Sequence, residues 1–165
     1  MNIKARIELL QPKKLVGCKV LTSLSNNKTY QAWQSFMPRR NEVRHQVNAL
    51  LISLQEYEPS YFSNFNPDNA FDKWAAVEVG RYEDIPEGMD SFDLPGGLYA
   101  VFDYQGSSTD TAVYNYIFTS WLPASIYLLD DRPHFEMLGE NYKNNDPASE
   151  EEIWVPIRHR LLFSM

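Results

Sequence analysis

One cysteine, Cys18, excludes an intramolecular disulfide. The three histidines, His45, His134 and His159, are isolated and offer no Cys/His metal spacing. No apolar run is long enough to span a membrane. The first fourteen residues lack the apolar core of a signal peptide, so a cytoplasmic location is expected. Positive charge is scarce: 15 Lys and Arg against 22 Asp and Glu leave a formal net charge of -7. That balance suits a phosphate backbone badly, and the one basic cluster, Arg39, Arg40, Arg44 and His45, is too short for a nucleic-acid footprint. The G-x-S-x-G elbow, the P-loop, H-E-x-x-H and the dinucleotide fingerprint are all missing, and no cofactor or metal is expected. The acidic run Glu150-Glu151-Glu152 is by itself a weak signal for calcium or magnesium.

What the chain has instead is aromatic surface: 4 Trp, 10 Tyr and 9 Phe in 165 residues. Such side chains build cores and also walls that grip flat or greasy ligands. The length fits a single domain spanning residues 1–165. Apolar and β-branched runs predict one or two strands over residues 3–24, then strands over 50–58, 73–79, 97–104, 133–139 and 152–157. A helix is expected from Thr29 to about Met37, carrying Trp33 and Phe36, and a second helical piece from Arg40 to Asn48 after Pro38. Ser107-Ser-Thr-Asp110 opens another helix, which carries Val113, Ile117, Phe118 and Trp121 and stops at Pro123. Residues 59–72 and 141–149 read as loops, and the tail from Arg158 to Met165 is expected to fray.

The pattern repeats. Residues 32–38, AWQSFMP, match residues 117–123, IFTSWLP, and residues 74–79 sit where 152–157 sit. Each half, about 5–80 and about 90–158, is strand–helix–strand–strand. The expected fold is α+β: duplicated βαββ units about a pseudo-twofold, forming an antiparallel sheet with both helices on one face and a central groove.

The second half carries a resemblance. The run Leu94-Pro-Gly-Gly-Leu-Tyr-Ala-Val-Phe102, then Trp121-Leu-Pro123, Arg132-Pro-His-Phe-Glu136 and Glu152-Ile-Trp-Val-Pro-Ile157, resemble in order four stretches of the GyrI-like, AraC-type effector-binding domains. The match is good over residues 90–158 and looser over 5–80. The resemblance implies two βαββ units with a groove between them that holds drug-like, often cationic or lipophilic molecules. Many such domains are fused to helix-turn-helix segments and sense ligands for transcription. One stand-alone branch resembles a gyrase inhibitor, and another hydrolyses reactive electrophiles with a pocket glutamate assisted by tyrosine. Here no segment before residue 5 suits a helix-turn-helix, so direct nucleic-acid binding is not expected. The family's tyrosine two residues after that glutamate is Leu138.

Glu136 is the first candidate for ligand binding. Strand alternation separates Phe135 and Met137 from His134, Glu136 and Leu138. If Phe135 and Met137 pack under the helices, Glu136 points into the groove; alternation alone leaves solvent equally open. A desolvated carboxylate there must bind a cation, accept hydrogen bonds or take a proton, and the resemblance makes this position the pocket acid. Trp154 and Glu152 are expected on the same face as Glu136, where Trp154 could stack on a planar or cationic ligand; a core tryptophan is the equal alternative. Tyr99, Tyr57 and Leu138 complete the candidate set. Trp33, Phe36, Phe118 and Trp121 read as core.

The expected partner is therefore a small organic molecule, neutral or cationic, held by a sensor or sequestering protein. A hydrolase using Glu136 with Tyr99 or Tyr57 is the alternative. A protein partner recognising an acidic face at Glu83, Asp84 and Glu87 is the third reading. Oligomeric state is open at this level.

Overall fold

A computed structural model of the chain describes residues 3–160. Among these, nine antiparallel strands and two helical regions form an α+β fold. The strands are β1 (Ala5–Leu10), β2 (Lys13–Ser23), β3 (Leu51–Glu56), β4 (Ala70–Val79), β5 (Asp90–Leu94), β6 (Gly97–Gln105), β7 (Tyr127–Leu129), β8 (His134–Leu138) and β9 (Glu150–His159). Their order across the sheet is β1-β6-β9-β8-β3-β4-β2-β5, with β7 added along the end of β9.

That order is symmetric about the β3/β8 pair. The strands β3, β4 and β2 of one half stand opposite β8, β9 and β6 of the other. The leading strands are exchanged: β1 pairs with β6, and β5 pairs with β2. Each half thus borrows its edge from the other, so neither half-sheet is complete alone.

Helix α1 (Thr29–Phe36) follows a turn in which Asn27 Oδ1 accepts the Thr29 N–H. It buries Ala32 and Phe36, one turn apart, against Ala75 and Val77 of β4. The expected helix over 40–48 is not formed. A 3₁₀ turn covers Met37–Glu42, and Val43 is already extended. Pro38 at its start brings no N–H to continue α1, and the tighter turn runs out within a few residues.

The second helical region is α2 (Ala112–Tyr116), a π-helical turn over Ile117–Trp121, and α3 (Leu122–Ala124). It therefore passes Pro123, where a stop was expected. Proline sits in the first turn of α3, where its missing N–H has little effect. Val113 and Ile117 are fully buried against Phe102, Ile153 and Val155.

Two short strands escape the sequence reading. Edge strand β5 has only Leu94 buried, and β7 has three residues, too few to show a period. At the far end, Arg158 and His159 belong to β9, and Arg160 donates to the carbonyl of Ser125. Residues 161–165, the rest of the tail expected to fray, lie outside the described residues.

The face away from the helices is closed. Leu10 from one edge strand and Leu94 from the other share a buried cluster with Leu15, Leu54, Phe135 and Trp154. The sheet curls until its edges meet over its own centre. One close approach sets the curl between β2 and β4: a Cβ on Gly17 would collide with the Ala75 carbonyl and lie 2.7 Å from the Ala76 Cα. Gly17→Ala is expected to cost about 3 kcal/mol, read as a lower urea midpoint at unchanged slope.

Candidate functional site

The central strand pair decides which side chains meet. Ser53 pairs with Glu136 and Gln55 with His134 on one side of β8; Ile153 pairs with Glu136 on the other. Cross-strand partners share a face. Ile153 packs under α2, and Ala75, which pairs with Ser53, packs under α1. Glu136 therefore lies on the helix face, in the cleft between the two helices, while Phe135 and Met137 turn to the closed face. Phe135 and Met137 thus do not pack under the helices, the condition on which strand alternation turns Glu136 into a groove; it is Glu136 that lies on the helix side.

Glu136 is 7% exposed. Gln55 Nε2 donates to its Oε1 at 2.9 Å, and Lys73 Nζ lies 3.5 Å from the same oxygen. Lys73 is itself 6% exposed. Register places Lys73 beside Gln55, so β4, β3 and β8 each contribute one member of this triad. Among the described residues no hydrogen bond reaches Glu136 Oε2. Each charge takes part of its solvation from the other, and removing either would strand its partner out of water.

Three tyrosines lie within electrostatic reach of Glu136. Burial, then the charge of Glu136, holds the Tyr57 hydroxyl well above the usual phenol range; Tyr114 of α2 is pushed up in the same way. Neither hydroxyl has a hydrogen-bond partner among the described residues. Tyr142, in the loop after β8, is also raised by burial, with smaller contributions from Glu151 and Glu136. Glu151 lies on the Glu136 face of β9, two residues before Ile153. Its carboxyl is pushed up to about 7, first by burial and then by Glu136, against an opposing pull from Lys73.

Two hollows open on either side. One, about 1040 Å³, is lined by Leu51, Leu138, Tyr104 and Glu151 among others. The other, about 550 Å³, is lined by Tyr57, Phe62, Arg132 and His134 among others. On β8, Leu138 opens on the first and His134 on the second, and Glu136 stands between them. Phe62, from the loop after β3, stacks on His134 at 5.1 Å and on Phe118 at 5.5 Å, and those two rings are 6.0 Å apart, so the three form a triangular cluster at the second hollow.

The structure brings Glu136, Tyr57 and Leu138 to this cleft, leaves Glu152 at the wall of the larger hollow from the other face of the sheet, and turns Trp154 and Tyr99 into the closed core. Trp154 pairs with Phe135, not with Glu136, and stacks on its ring at 5.2 Å on the closed face. Glu152 is turned the same way; it accepts from Trp154 Nε1 at 3.1 Å and from Arg6 at 2.6 Å. Tyr99 is fully buried there too, its hydroxyl donating to the Pro133 carbonyl at 2.7 Å. The slip was of one kind: Ile153 and Glu136 were placed on opposite faces, whereas the β8/β9 register makes them direct neighbours. Lys73, Gln55, Tyr114 and Glu151 were missed. A usable signal existed in β3, where Ser53 and Gln55 place two polar groups on one side of an apolar strand.

The acidic link also reads differently in three dimensions. Glu83 meets Arg44, His45 and Arg81, and Asp84 meets Arg44 at 2.6 Å, so two of its three carboxylates are already matched by cations. Among the described residues, no group of three or more His, Cys, Asp or Glu is arranged to hold a metal, and no helix is long and apolar enough to cross a membrane.

A cleft between two pseudo-symmetric halves, with unclaimed polar groups turned inward, matches a known architecture. The sequence model of the GyrI-like small molecule binding domain covers residues 4–158. The chain belongs to the GyrI-like family. It is 27% identical to the transcriptional regulator BrlR of Pseudomonas aeruginosa across 94% of this chain, but spans only 56% of that relative. Among solved structures it resembles SAV2435 bound to tetraphenylphosphonium, with a TM-score of 0.63, 20% identity and 94% of both chains covered. It also resembles a hydrolase from Listeria innocua, with a TM-score of 0.60, 11% identity, and 94% of this chain and 92% of that one covered. At such identities the structural likenesses speak to the fold.

His134 gives the site a pH signature. Burial among Tyr57, Phe62 and Phe118, reinforced by Arg132, lowers its imidazole to about 3. The folded protein keeps this ring neutral, whereas the unfolded chain takes up a proton below about 6.5. Unfolding therefore binds a proton between those values, and stability falls as pH drops from 6.5 towards 3. Between pH 7.5 and 4.5 His134 should withdraw on the order of 2 kcal/mol. His134→Phe is expected to shrink that part of the acid loss, measured by urea unfolding at both pH values.

Proposed function

We propose that this GyrI-like domain binds a lipophilic organic molecule, neutral or cationic, in the cleft between its helices, and that it acts as a sensor or sequestering protein. The observation that carries the reading is the state of the polar groups around Glu136. A largely buried carboxylate keeps one oxygen without a hydrogen bond, and the Tyr57 and Tyr114 hydroxyls, within reach of its charge, also have no partner among the described residues. Polar groups without a protein partner in a concave site are expected where a ligand or water completes them. The tetraphenylphosphonium complex of SAV2435 supplies a suitable probe class.

Calorimetric titration with tetraphenylphosphonium and a panel of neutral aromatics should give micromolar dissociation constants for some members. Glu136→Gln leaves the Lys73 ammonium without its counter-charge and should weaken the cation by tenfold or more. A folded protein that binds no member of the panel would sink the reading.

A second reading rests on the same groups. A carboxylate next to phenols kept protonated is also an acid–base pair, with Glu136 activating water and Tyr57 or Tyr114 donating a proton to a leaving atom. The likeness to a Listeria hydrolase fits this use of the fold. Hydrolysis of a strained electrophile that disappears in Glu136→Gln, with the circular dichroism spectrum unchanged, would favour it over binding alone.

A further inference from the structure

The proposed ligand site raises the question of which charge a ligand would meet. Glu136 is the obvious answer, but it lines neither hollow, and Lys73 stands 3.5 Å from its Oε1. Each is almost fully buried, so the pair presents little net charge to anything entering the cleft. Glu151 is placed differently. It lines the larger hollow directly, lies on the Glu136 face of β9, and has no hydrogen-bond or ion-pair partner among the described residues.

Resting on the binding reading above, we infer that Glu151 is the specificity-determining residue for cations in this cleft: Lys73 offsets Glu136, and Glu151 is the strand carboxylate on the helix face with no ion-pair partner among the described residues.

The groups that face Glu151 bear this out from each neighbouring element. Lys73 comes from β4 and Glu136 from β8, and their charges act on it with opposite signs. Tyr104 comes from β6 and pairs with it directly; Tyr114 comes from α2 and Tyr142 from the loop after β8. Those three phenols are all raised above the usual value and stay neutral near pH 7. On its own strand, Glu150 accepts from Asn141 and Glu152 is engaged by Arg6 on the other face. Arg40, at the rim of the hollow, donates to the Ala49 carbonyl. Asp103, Glu140, Glu150 and Glu152 also line the hollow, Asp103, Glu150 and Glu152 from the other face of the sheet and Glu140 from the loop after β8, so the hollow becomes more negative by one charge as Glu151 ionises. Its carboxyl crosses between these states at about 7, so the cleft should favour cations over neutral molecules more strongly above neutral pH than below it.

The test uses two probes of similar size and fixed charge, tetraphenylphosphonium and the neutral triphenylphosphine oxide, titrated at pH 5.5 and 8.5 at constant ionic strength. The wild-type ratio of cation to neutral affinity should rise about tenfold between the two pH values. Glu151→Gln should abolish the rise, and Lys73→Met should increase the ratio at both pH values. Binding with a flat ratio in the wild type, or a rise that persists in Glu151→Gln, overturns the inference while leaving the binding reading intact. Failure of the wild type to bind either probe at either pH brings down the binding reading and this inference with it.

Discussion

Everything around the cleft follows from how β3 and β8 are set against each other. Ser53 opposite Glu136 puts one polar row, Ser53, Gln55, His134 and Glu136, under the gap between the helices, and a second row, Ile52, Leu54 and Phe135, into the closed core. The side-chain period of a strand is two, so a slip of one residue would drive the Glu136 carboxylate in among Trp154 and Tyr99 and bring Phe135 out. Burying an unpaired carboxylate in that aromatic cluster costs several kcal/mol. The charged triad and the apolar face therefore enforce the same register from opposite sides of the sheet.

The duplicated architecture explains why the gap exists. Each half packs one helical region on its own strands, α1 on β2 and β4, and α2 on β6 and β9. At the pseudo-twofold they touch only the ends of the strands, through Leu51 of β3 and His134 of β8 among the described residues. The centre of the helix face is left to side chains that need not be apolar, and tyrosines from α2 and from the loop after β3 reach in over it. The exchange of β1 and β5 closes the opposite face with Leu10 and Leu94, so the apolar side chains there are covered by the sheet's own edges.

The chemistry of the cleft turns on two carboxylates, Glu136 and Glu151, and the Lys73 ammonium in a largely buried setting. Coulombic effects are strong in such a place, and small changes in protonation alter what it accepts. His134 is held neutral by packing while Glu151 is held close to neutrality of its own, so the two ends of the cleft respond to pH in different ranges. Phe62 meets both His134 and Phe118 at one end, where ring contacts join loop, strand and helix; such contacts can part more easily than a hydrogen-bonded ladder.

Local sequence determined a good deal. The period-two runs located β2, β3, β4, β6, β8 and β9, the spacing of Phe36 and of Val113 and Ile117 located the helical regions, and the matching halves pointed to the doubled sheet. These are legible because backbone geometry and burial act within a few residues. Glu136 stood out as a charge inside an apolar strand for the same reason. What only the tertiary structure decided was the face each strand shows to its neighbour. Alternation along a strand says which residues go together, yet not which set goes under a helix, because that depends on register between segments up to a hundred residues apart. Hence Trp154, Glu152 and Tyr99 fell on the far side, and Lys73, Gln55 and Glu151, from three other strands, became the neighbours of Glu136.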